Sequence, residues 1–157
     1  MKGRIKLMEA DAMMAAKPFP RRAALLFLLF LTLAVFFSIN YRIVVVNGHS
    51  MEPTYRNKEM LIITHAYWMY GPLRRDDVVM IKHDGELLLK RIAALPGEIV
   101  PIEALPHYMA HGFEVPQGHV WVTGDNRFNS EDSRSFGALP LREILGKTPY
   151  PRPRPQQ

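Results

Sequence analysis

The feature that most constrains this chain is an uninterrupted apolar run, AALLFLLFLTLAVFFSIN, from Ala23 to Asn40. None of its 18 residues is charged. At about 1.5 Å rise per residue, a helix of this length spans roughly 27 Å, close to the apolar thickness of a bilayer, about 30 Å. Tyr41 and Arg42 follow as an interfacial anchor. The sequence therefore predicts one transmembrane helix, assigned to residues 23–41.

Basic residues are concentrated before this apolar run. Residues 1–22 have a net charge of +4, whereas the rest of the chain holds 14 basic and 13 acidic side chains. Because positively charged flanks stay on the cytoplasmic side, the 1–22 head is predicted to be cytoplasmic and the body to be translocated. The nearly neutral body gives no reason to expect nucleic-acid binding.

Two other interpretations of the apolar run were weighed. A cleavable signal peptide also begins basic and continues apolar, but Ser38-Ile39-Asn40 is a poor small-x-small cleavage site and the 22-residue leader is long. A buried core helix would be apolar all round inside a small domain. A permanent membrane anchor is therefore favoured.

Residues 42–148 alternate short β-like runs with turn signals. The runs are IVVV (43–46), MLIIT (60–64), VVMIK (78–82), LLLKRI (87–92), EIVPI (98–102) and HVWVT (119–123). Asp84-Gly85 between two such runs is a strong hairpin signal. No helical period is sustained, so the pattern predicts one mainly β, antiparallel, hairpin-rich domain.

Two compositional features complete this outline. The proline-rich end, residues 149–157, is predicted to be an extended or disordered tail. The chain has no cysteine, which excludes disulfides, a thiolate nucleophile and Cys-ligated metal sites.

Ser50 lies in a segment with unusual turn chemistry. The IVVV run ends at Asn47-Gly48, where the backbone can turn tightly, and Pro53 restricts the exit. Such a turn can present a serine hydroxyl and its own backbone N–H to the same space, as an oxyanion site requires. Most loop serines have no such role, and a nucleophilic serine also needs a base.

Lys90 is a candidate for that base because Leu88 and Ile92 share its face of a predicted strand. Desolvation disfavours an ammonium on an apolar face, so the pKa of Lys90 should fall towards neutrality. The competing interpretation is an edge-strand lysine whose stem covers the sheet while its ammonium reaches water. The pattern by itself leaves both open.

The six histidines offer weaker alternatives. His49 is adjacent to Ser50, so the two side chains point apart in an extended chain. His107 and His111 have helical ligand spacing but lie in a loop-like region without an intervening carboxylate, so no metal site is expected. A Ser-His-Asp triad using Asp125 stays open, because nothing in the sequence selects one histidine.

Three ordered segments closely resemble motifs of the bacterial type I signal (leader) peptidase family. They are Ser50-Met51-x-Pro53-Thr54, Lys90-Arg91-x-x-x-Leu95-Pro96-Gly97-Glu98 and Gly124-Asp125-Asn126-Arg127-x-x-Ser130-x-Asp132-Ser133-Arg134-x-Phe136-Gly137. The resemblance extends over roughly residues 23–147, with the anchor in the family's position. The third motif is long enough to be specific, and the ordered set is more specific still.

This resemblance implies a Ser-Lys dyad. Ser50 would attack the scissile carbonyl and form an acyl-enzyme. Lys90, neutral at rest, would take the serine proton and later activate the deacylating water. The resemblance also implies supporting roles. Ser130 would orient the lysine amine, and Asp132 with Arg134 would brace the site. Asp125 and Asn126 would shape its turn.

Gly48 departs from the pattern of some family members, which carry a side-chain hydroxyl two residues before the nucleophile to bind the oxyanion. Glycine has no such donor. The oxyanion hole would then rely on the Ser50 backbone N–H together with another backbone donor or water. Other members of the family also carry glycine there, so activity is still expected.

The resemblance implies a membrane-bound serine endopeptidase that removes N-terminal signal peptides from exported proteins, without cofactor or metal. Its expected partners are signal peptides of secretory preproteins and membrane lipid. The expected location is the cytoplasmic (inner) membrane, single-pass, with a cytoplasmic N-terminus and an extracytoplasmic or periplasmic catalytic domain. The alternatives are a specialised processing peptidase of a conjugation or pilus system, a mitochondrial inner-membrane peptidase of the same family, and an anchored binding domain without catalysis.

Two surfaces are expected to meet substrate or lipid. Ile43–Val46 and residues near Lys90 would wall the pockets for small side chains of a substrate bound as an added strand. The aromatic segment at residues 66–70 predicts either seating in the lipid headgroups or packing in the core, and the pattern favours neither.

Overall fold

The computed structural model describes residues 20–109 and 112–154. The chain divides into an N-terminal unit that ends at Phe37 and a second unit that begins at Ser38. Most of the predicted basic head, His111 and the last three residues of the predicted tail lie outside the described residues. The expectations for those positions therefore stay predictions.

The N-terminal helix, α1, runs from Arg21 to Asn40, beginning two residues before the predicted anchor. By length and composition it is able to cross a membrane, and none of its residues is buried. Phe30, for example, keeps 68% of its surface exposed. Such an uncovered apolar helix is compatible with a lipid environment.

The second unit is built around one seven-stranded sheet whose described strand pairs are all antiparallel. The strands are β1 (Tyr41–Val45), β2 (Met60–Thr64), β3 (Val78–His83), β4 (Glu86–Ala94), β5 (His119–Thr123), β6 (Leu139–Pro140) and β7 (Ile144–Lys147). Their order in the sheet is β1-β2-β7-β3-β4-β5-β6. Four single-turn segments interrupt the strands: α2 (Tyr67–Tyr70), α3 (Ser133–Phe136) and 3-10 turns at Ile102–Ala104 and Leu141–Glu143. The mainly β, antiparallel prediction is confirmed.

The β3–β4 hairpin determines the position of Lys90. His83 pairs with Glu86 across a two-residue turn in which Asp84 and Gly85 have φ values of 47° and 86°. Positive φ at both positions is the type I′ geometry that matches the strand twist. The resulting register sets Lys90 opposite Val79.

The prediction of a strand at residues 98–102 (EIVPI) is wrong. Ile99 forms only an isolated bridge with Glu114, and the chain then enters the 3-10 turn at Ile102. Pro101 has no N–H to extend a ladder, which accounts for the interruption.

Strand β7 was not anticipated from the sequence. It is only four residues long and contains Gly146, yet it lies between β2 and β3. A Cβ at Gly146 would lie 2.7 Å from the Ile63 Cγ2 atom and 2.8 Å from the Thr64 carbonyl oxygen. The glycine is required because it allows the two backbones to approach closely.

The main apolar cluster lies beneath β3, β4 and β5. Its fully buried members are Val79, Ile81, Ile92, Val120, Val122 and Leu139, with Leu88 packed against them. Branched side chains suit this pleated, covered surface. The cluster includes Ile92 and Leu88, the two residues predicted to share the face of Lys90.

Candidate active site

Ser50 lies in the connection between β1 and β2, in a turn with buried anchors. Met51 has no exposed surface, and its carbonyl accepts a 2.9 Å hydrogen bond from the N–H of Tyr55, itself 1% exposed. Gly48 adopts a φ of 101° on the approach, which favours glycine. The turn that carries Ser50 is therefore fixed by buried, packed side chains.

Lys90 meets Ser50 directly. The Lys90 Nζ lies 3.0 Å from the Ser50 Oγ, and Lys90 is 2% exposed. The structure thus brings together two residues separated by 40 positions in the chain. At this distance a neutral amine can accept the hydroxyl proton without further movement of either side chain.

The environment of Lys90 favours its neutral form. Burial lowers the pKa of Lys90 below its ordinary value, and the carboxylates of Asp132 and Glu131 oppose part of that shift. Desolvation of the ammonium outweighs those charges because the lysine lies among apolar side chains. A lysine with a depressed pKa can act as a general base.

The segment after β5 contacts the nucleophile turn through its backbone. Asn126 N–H donates to the Ser50 carbonyl oxygen at 2.9 Å. A Cβ at Gly124 would lie 2.5 Å from that same oxygen and 2.5 Å from the Ser130 Cβ. Gly124 therefore has no room for a side chain, a packing role not assigned to it from the sequence.

Asp132 is the centre of a buried hydrogen-bond network. Its carboxylate accepts from the Gly124 N–H at 2.8 Å, from the Ser130 hydroxyl at 2.8 Å and from the Arg134 guanidinium at 2.7 and 2.8 Å. Burial would raise the pKa of Asp132, but these hydrogen bonds outweigh it and hold that pKa below its ordinary value. Asp132 and Arg134, the two residues expected to brace the site, thus form an ion pair.

The Ser130 hydroxyl donates to Asp132, and this contact fixes it beside Gly124. A hydroxyl that donates one hydrogen bond keeps lone pairs for an incoming donor. The orientation of the Lys90 amine by Ser130 stays a prediction.

Asp125 and Arg91 form a buried, two-pronged ion pair. Arg91 Nε and Nη2 donate to the two Asp125 carboxylate oxygens at 2.8 and 2.7 Å, and the two side chains are 1% and 0% exposed. Burial would raise the pKa of Asp125, but Arg91 outweighs it and holds that pKa below its ordinary value. The ion pair links β4, the strand that carries Lys90, to Asp125, which directly precedes Asn126.

The histidine alternatives are not supported by these contacts. Asp125 binds Arg91 and Arg154 rather than a histidine. His49 instead contacts Glu52 at 2.9 Å, and His83 contacts Glu143 at 3.0 Å. Within residues 20–109 and 112–154, no group of three His, Cys, Asp or Glu side chains is arranged to hold a metal ion.

The Ser50 backbone N–H is the first candidate for an oxyanion donor. Across the described chain, no protein acceptor takes the Ser50 N–H. The Gly48 N–H is already used, since it donates to Asn57 Oδ1 at 3.1 Å. Gly48 therefore offers neither a side-chain donor nor an uncommitted amide.

An apolar groove opens beside Ser50. Its volume is about 380 Å³, and besides Ser50 its lining comes from β1, β3, β4 and the residues that follow β1: Val44, Val45, Val46, Asn47, Met80, Leu87, Leu88 and Leu89. It runs between the end of β1 and the start of β4. Of the segments expected to wall a substrate site, Val44, Val45, Val46 and three leucines near Lys90 line this cavity, whereas Ile43 does not.

The sequence of this chain matches one family model over residues 20–108 and 102–151, under the description "Signal peptidase, peptidase S26". That match covers far more than half of the chain. The chain belongs to this signal peptidase family.

Relatives from the family come from both organelles and bacteria. Mitochondrial inner membrane protease subunit 1 of Xenopus tropicalis is 33% identical over 108 residues, which are 67% of this chain and 65% of that protein. Signal peptidase I of Bacillus caldolyticus is 29% identical over 151 residues, which are 76% of this chain and 81% of that protein. This chain thus spans slightly less than two thirds of the mitochondrial relative.

This chain is also similar to a solved structure. The crystal structure of a signal peptidase I from Enterococcus faecalis V583 has 24% sequence identity and a TM-score of 0.40, covering 48% of this chain and 96% of that one.

Proposed function

We propose that this chain is a membrane-anchored serine endopeptidase that removes N-terminal signal peptides, with Ser50 as nucleophile and Lys90 as general base. The observation that carries the proposal is the 3.0 Å contact between Lys90 Nζ and Ser50 Oγ, made by a lysine that is 2% exposed. Membership of the peptidase family supports the reaction class.

In the acylation half of the reaction, neutral Lys90 accepts the Ser50 proton as Oγ attacks the scissile carbonyl carbon. The carbonyl oxygen becomes an oxyanion and takes the Ser50 N–H, which no described protein acceptor occupies. Lys90, now an ammonium beside the Asp132 and Glu131 carboxylates, then gives its proton to the departing amine. The C–N bond breaks and an ester remains on Ser50.

In the deacylation half, Lys90 is neutral again and takes a proton from water. The hydroxide attacks the ester carbonyl, and the Ser50 Oγ leaves with the proton returned by Lys90. One buried amine thus serves both halves, which requires that it lose and regain its proton readily. A pKa lowered by burial meets that requirement.

Substrate is proposed to bind as an extended strand in the apolar groove. Val44 and Leu89 line it from the two flanking strands, and Ser50 lies at its margin. Backbone pairing provides affinity, while alternate side chains enter the groove and are selected by size. The volume of about 380 Å³ suits a short peptide segment.

The proposed lipid contact is supported by an exposed apolar face on β1 and β2. Ile43 pairs with Ile62 and Val45 with Met60, and all four are between 49% and 74% exposed. Trp68 in α2 is 73% exposed, whereas Ala66 is fully buried. The aromatic segment therefore contributes to both core and surface. Large exposed apolar patches mark sites of association, here proposed to be with the membrane.

The direct test uses the full chain in detergent micelles with a signal-peptide substrate. Ser50→Ala should remove cleavage to the level of buffer, because the remaining site has no nucleophile. Ser135→Ala, an exposed serine in α3, is the matched control and should keep wild-type activity. Equal activity of Ser50→Ala and Ser135→Ala would contradict the proposal.

The second candidate is a dedicated processing peptidase using the same dyad. The similarity to mitochondrial inner membrane protease subunits favours keeping it, since that likeness is as high as the likeness to bacterial signal peptidase I. Complementation of a general signal-peptidase defect separates the two: growth supports the general enzyme. Failure to complement by a folded, membrane-inserted chain supports the dedicated one.

A further inference from the structure

The proline-rich segment Pro149–Arg154, here called the C-terminal strap, contacts the nucleophile turn at its first arginine. The Arg152 N–H donates to the Tyr55 hydroxyl at 2.9 Å, and the guanidinium donates to the Thr54 carbonyl at 3.1 Å. The same guanidinium lies 5.0 Å from the centre of the Tyr55 ring and pairs with Glu59. Composition favoured an extended or disordered tail; residues 149–154 have no regular secondary structure but are held by specific contacts.

The second arginine of the strap reaches the buried ion pair. Arg154 Nε donates to Asp125 Oδ1 at 3.2 Å, the same oxygen that accepts from Arg91 Nε at 2.8 Å. Arg154 Nη2 also donates to the Thr123 hydroxyl at 3.3 Å. The strap therefore ends against the segment whose next residue, Asn126, binds the Ser50 carbonyl.

We infer that Arg152 and Arg154 are positioning residues that tie the Ser50 turn to the Lys90 strand. Arg152 holds the turn four and five residues after the nucleophile, through Thr54 and Tyr55. Arg154 binds Asp125, which forms an ion pair with Arg91, the residue next to Lys90. None of the groups that link these contacts touches the substrate in the proposed mechanism, so the strap acts only through the dyad's geometry. This inference rests on the proposed function for its kinetic consequence, but its structural part stands independently.

The contacts of the strap predict which kinetic constant it controls. The apolar groove is lined by residues 44–47, Ser50, Met80 and residues 87–89, and no strap residue is among them. Loss of the strap should therefore leave substrate affinity largely intact. A small displacement of Ser50 from Lys90 would instead slow the chemical step, because proton transfer and attack both depend on sub-ångström geometry.

The test compares Arg152→Ala, Arg154→Ala and the double variant with wild type, as full chains in detergent micelles. Arg142→Ala removes an exposed arginine outside the strap and is the matched control. Arg154→Lys keeps a charge that can still reach Asp125. The readouts are hydrogen–deuterium exchange at the Tyr55 and Asn126 amides, and kcat and KM for a signal-peptide substrate.

The double variant is expected to exchange the Asn126 and Tyr55 amides about tenfold faster and to lose about tenfold in kcat, with KM changed less than about twofold. Arg154→Lys should recover part of the Arg154→Ala loss, and Arg142→Ala should match wild type. Unchanged exchange at both amides overturns the inference. So does a raised KM with unchanged kcat. If the double variant fails to fold, the single variants decide by the same readouts. Exchange does not depend on catalysis, so failure of the proposed function and failure of the strap are distinguishable.

Discussion

Lys90→Ala is expected to lower kcat/KM for a signal-peptide substrate by at least about a thousandfold, since it removes the only group within hydrogen-bonding distance of the Ser50 hydroxyl in the described chain. Lys90→Arg should be equally inactive. A guanidinium stays protonated at any working pH and cannot accept the serine proton. The measurement is initial-rate cleavage by the full chain in micelles.

The control for this experiment is Lys82→Ala. Lys82 lies on β3, in the strand that pairs with β4, and it is exposed. The substitution shortens another lysine of the same hairpin without touching the dyad, so activity should be unaffected. Substantial activity in Lys90→Ala would contradict the Ser-Lys dyad and direct attention to His49, whose side chain contacts Glu52 beside the nucleophile.

Asp125→Ala is expected to lower the free energy of unfolding by about 3–5 kcal/mol. The substitution would leave the Arg91 guanidinium, 1% exposed, without its carboxylate partner in the interior. An uncompensated buried charge is far more costly than the pair is favourable. Unfolding followed by the fluorescence of buried Trp121 provides the measurement, and Glu86→Ala, at an exposed side chain on β4, is the control.

A paired replacement sharpens the Asp125 experiment. Arg91→Met combined with Asp125→Val removes both charges and nearly keeps the summed side-chain volume, so it should recover most of the stability lost in Asp125→Ala. Equal destabilisation by Asp125→Ala and Glu86→Ala would contradict the claim that the pair is buried. Because the pKa of Asp125 is lowered, its contribution is complete above the unfolded-state pKa of about 3.9 and is lost as the pH falls through the lower folded value.

Periodicity and turn chemistry anticipated the frame of the site. The Asp84-Gly85 turn and the alternation around Lys90 predicted the β3–β4 hairpin and an apolar face, and both are present. These features are local, because a two-residue turn fixes its own register and a strand's side chains alternate by geometry. Residues within one hairpin could therefore be placed from the sequence.

The features that were missed depend on distant parts of the chain. β7 enters the middle of the sheet only because Gly146 allows close contact with β2, and four residues carry too little pattern to show this. The EIVPI run has strand-like composition, but Pro101 and the 3-10 turn end it. The strap was read as disordered or extended from its prolines, since its partners Tyr55 and Asp125 lie 97 and 29 positions away from the arginines that bind them.

The approach of Ser50 to Lys90 was also beyond pattern reasoning. No local sequence pattern around Ser50 or Lys90 predicts that the two side chains meet. That prediction came from the resemblance to the signal peptidase family. The structure places their reacting atoms 3.0 Å apart through the register of β4 and the packed turn after β1. The strength of a lysine base then depends on its burial, which arises only when the whole sheet is assembled.

The pH dependence of kcat/KM tests the Ser50–Lys90 dyad most directly. It should be recorded for the full chain between about pH 5 and about pH 11, a range that includes the ordinary lysine pKa of about 10.4. A buried Lys90 that works as a neutral base predicts activity rising with pH through one ionisation below that ordinary value, followed by a plateau. A midpoint at the ordinary lysine value, or a rate independent of pH across the range, would contradict it.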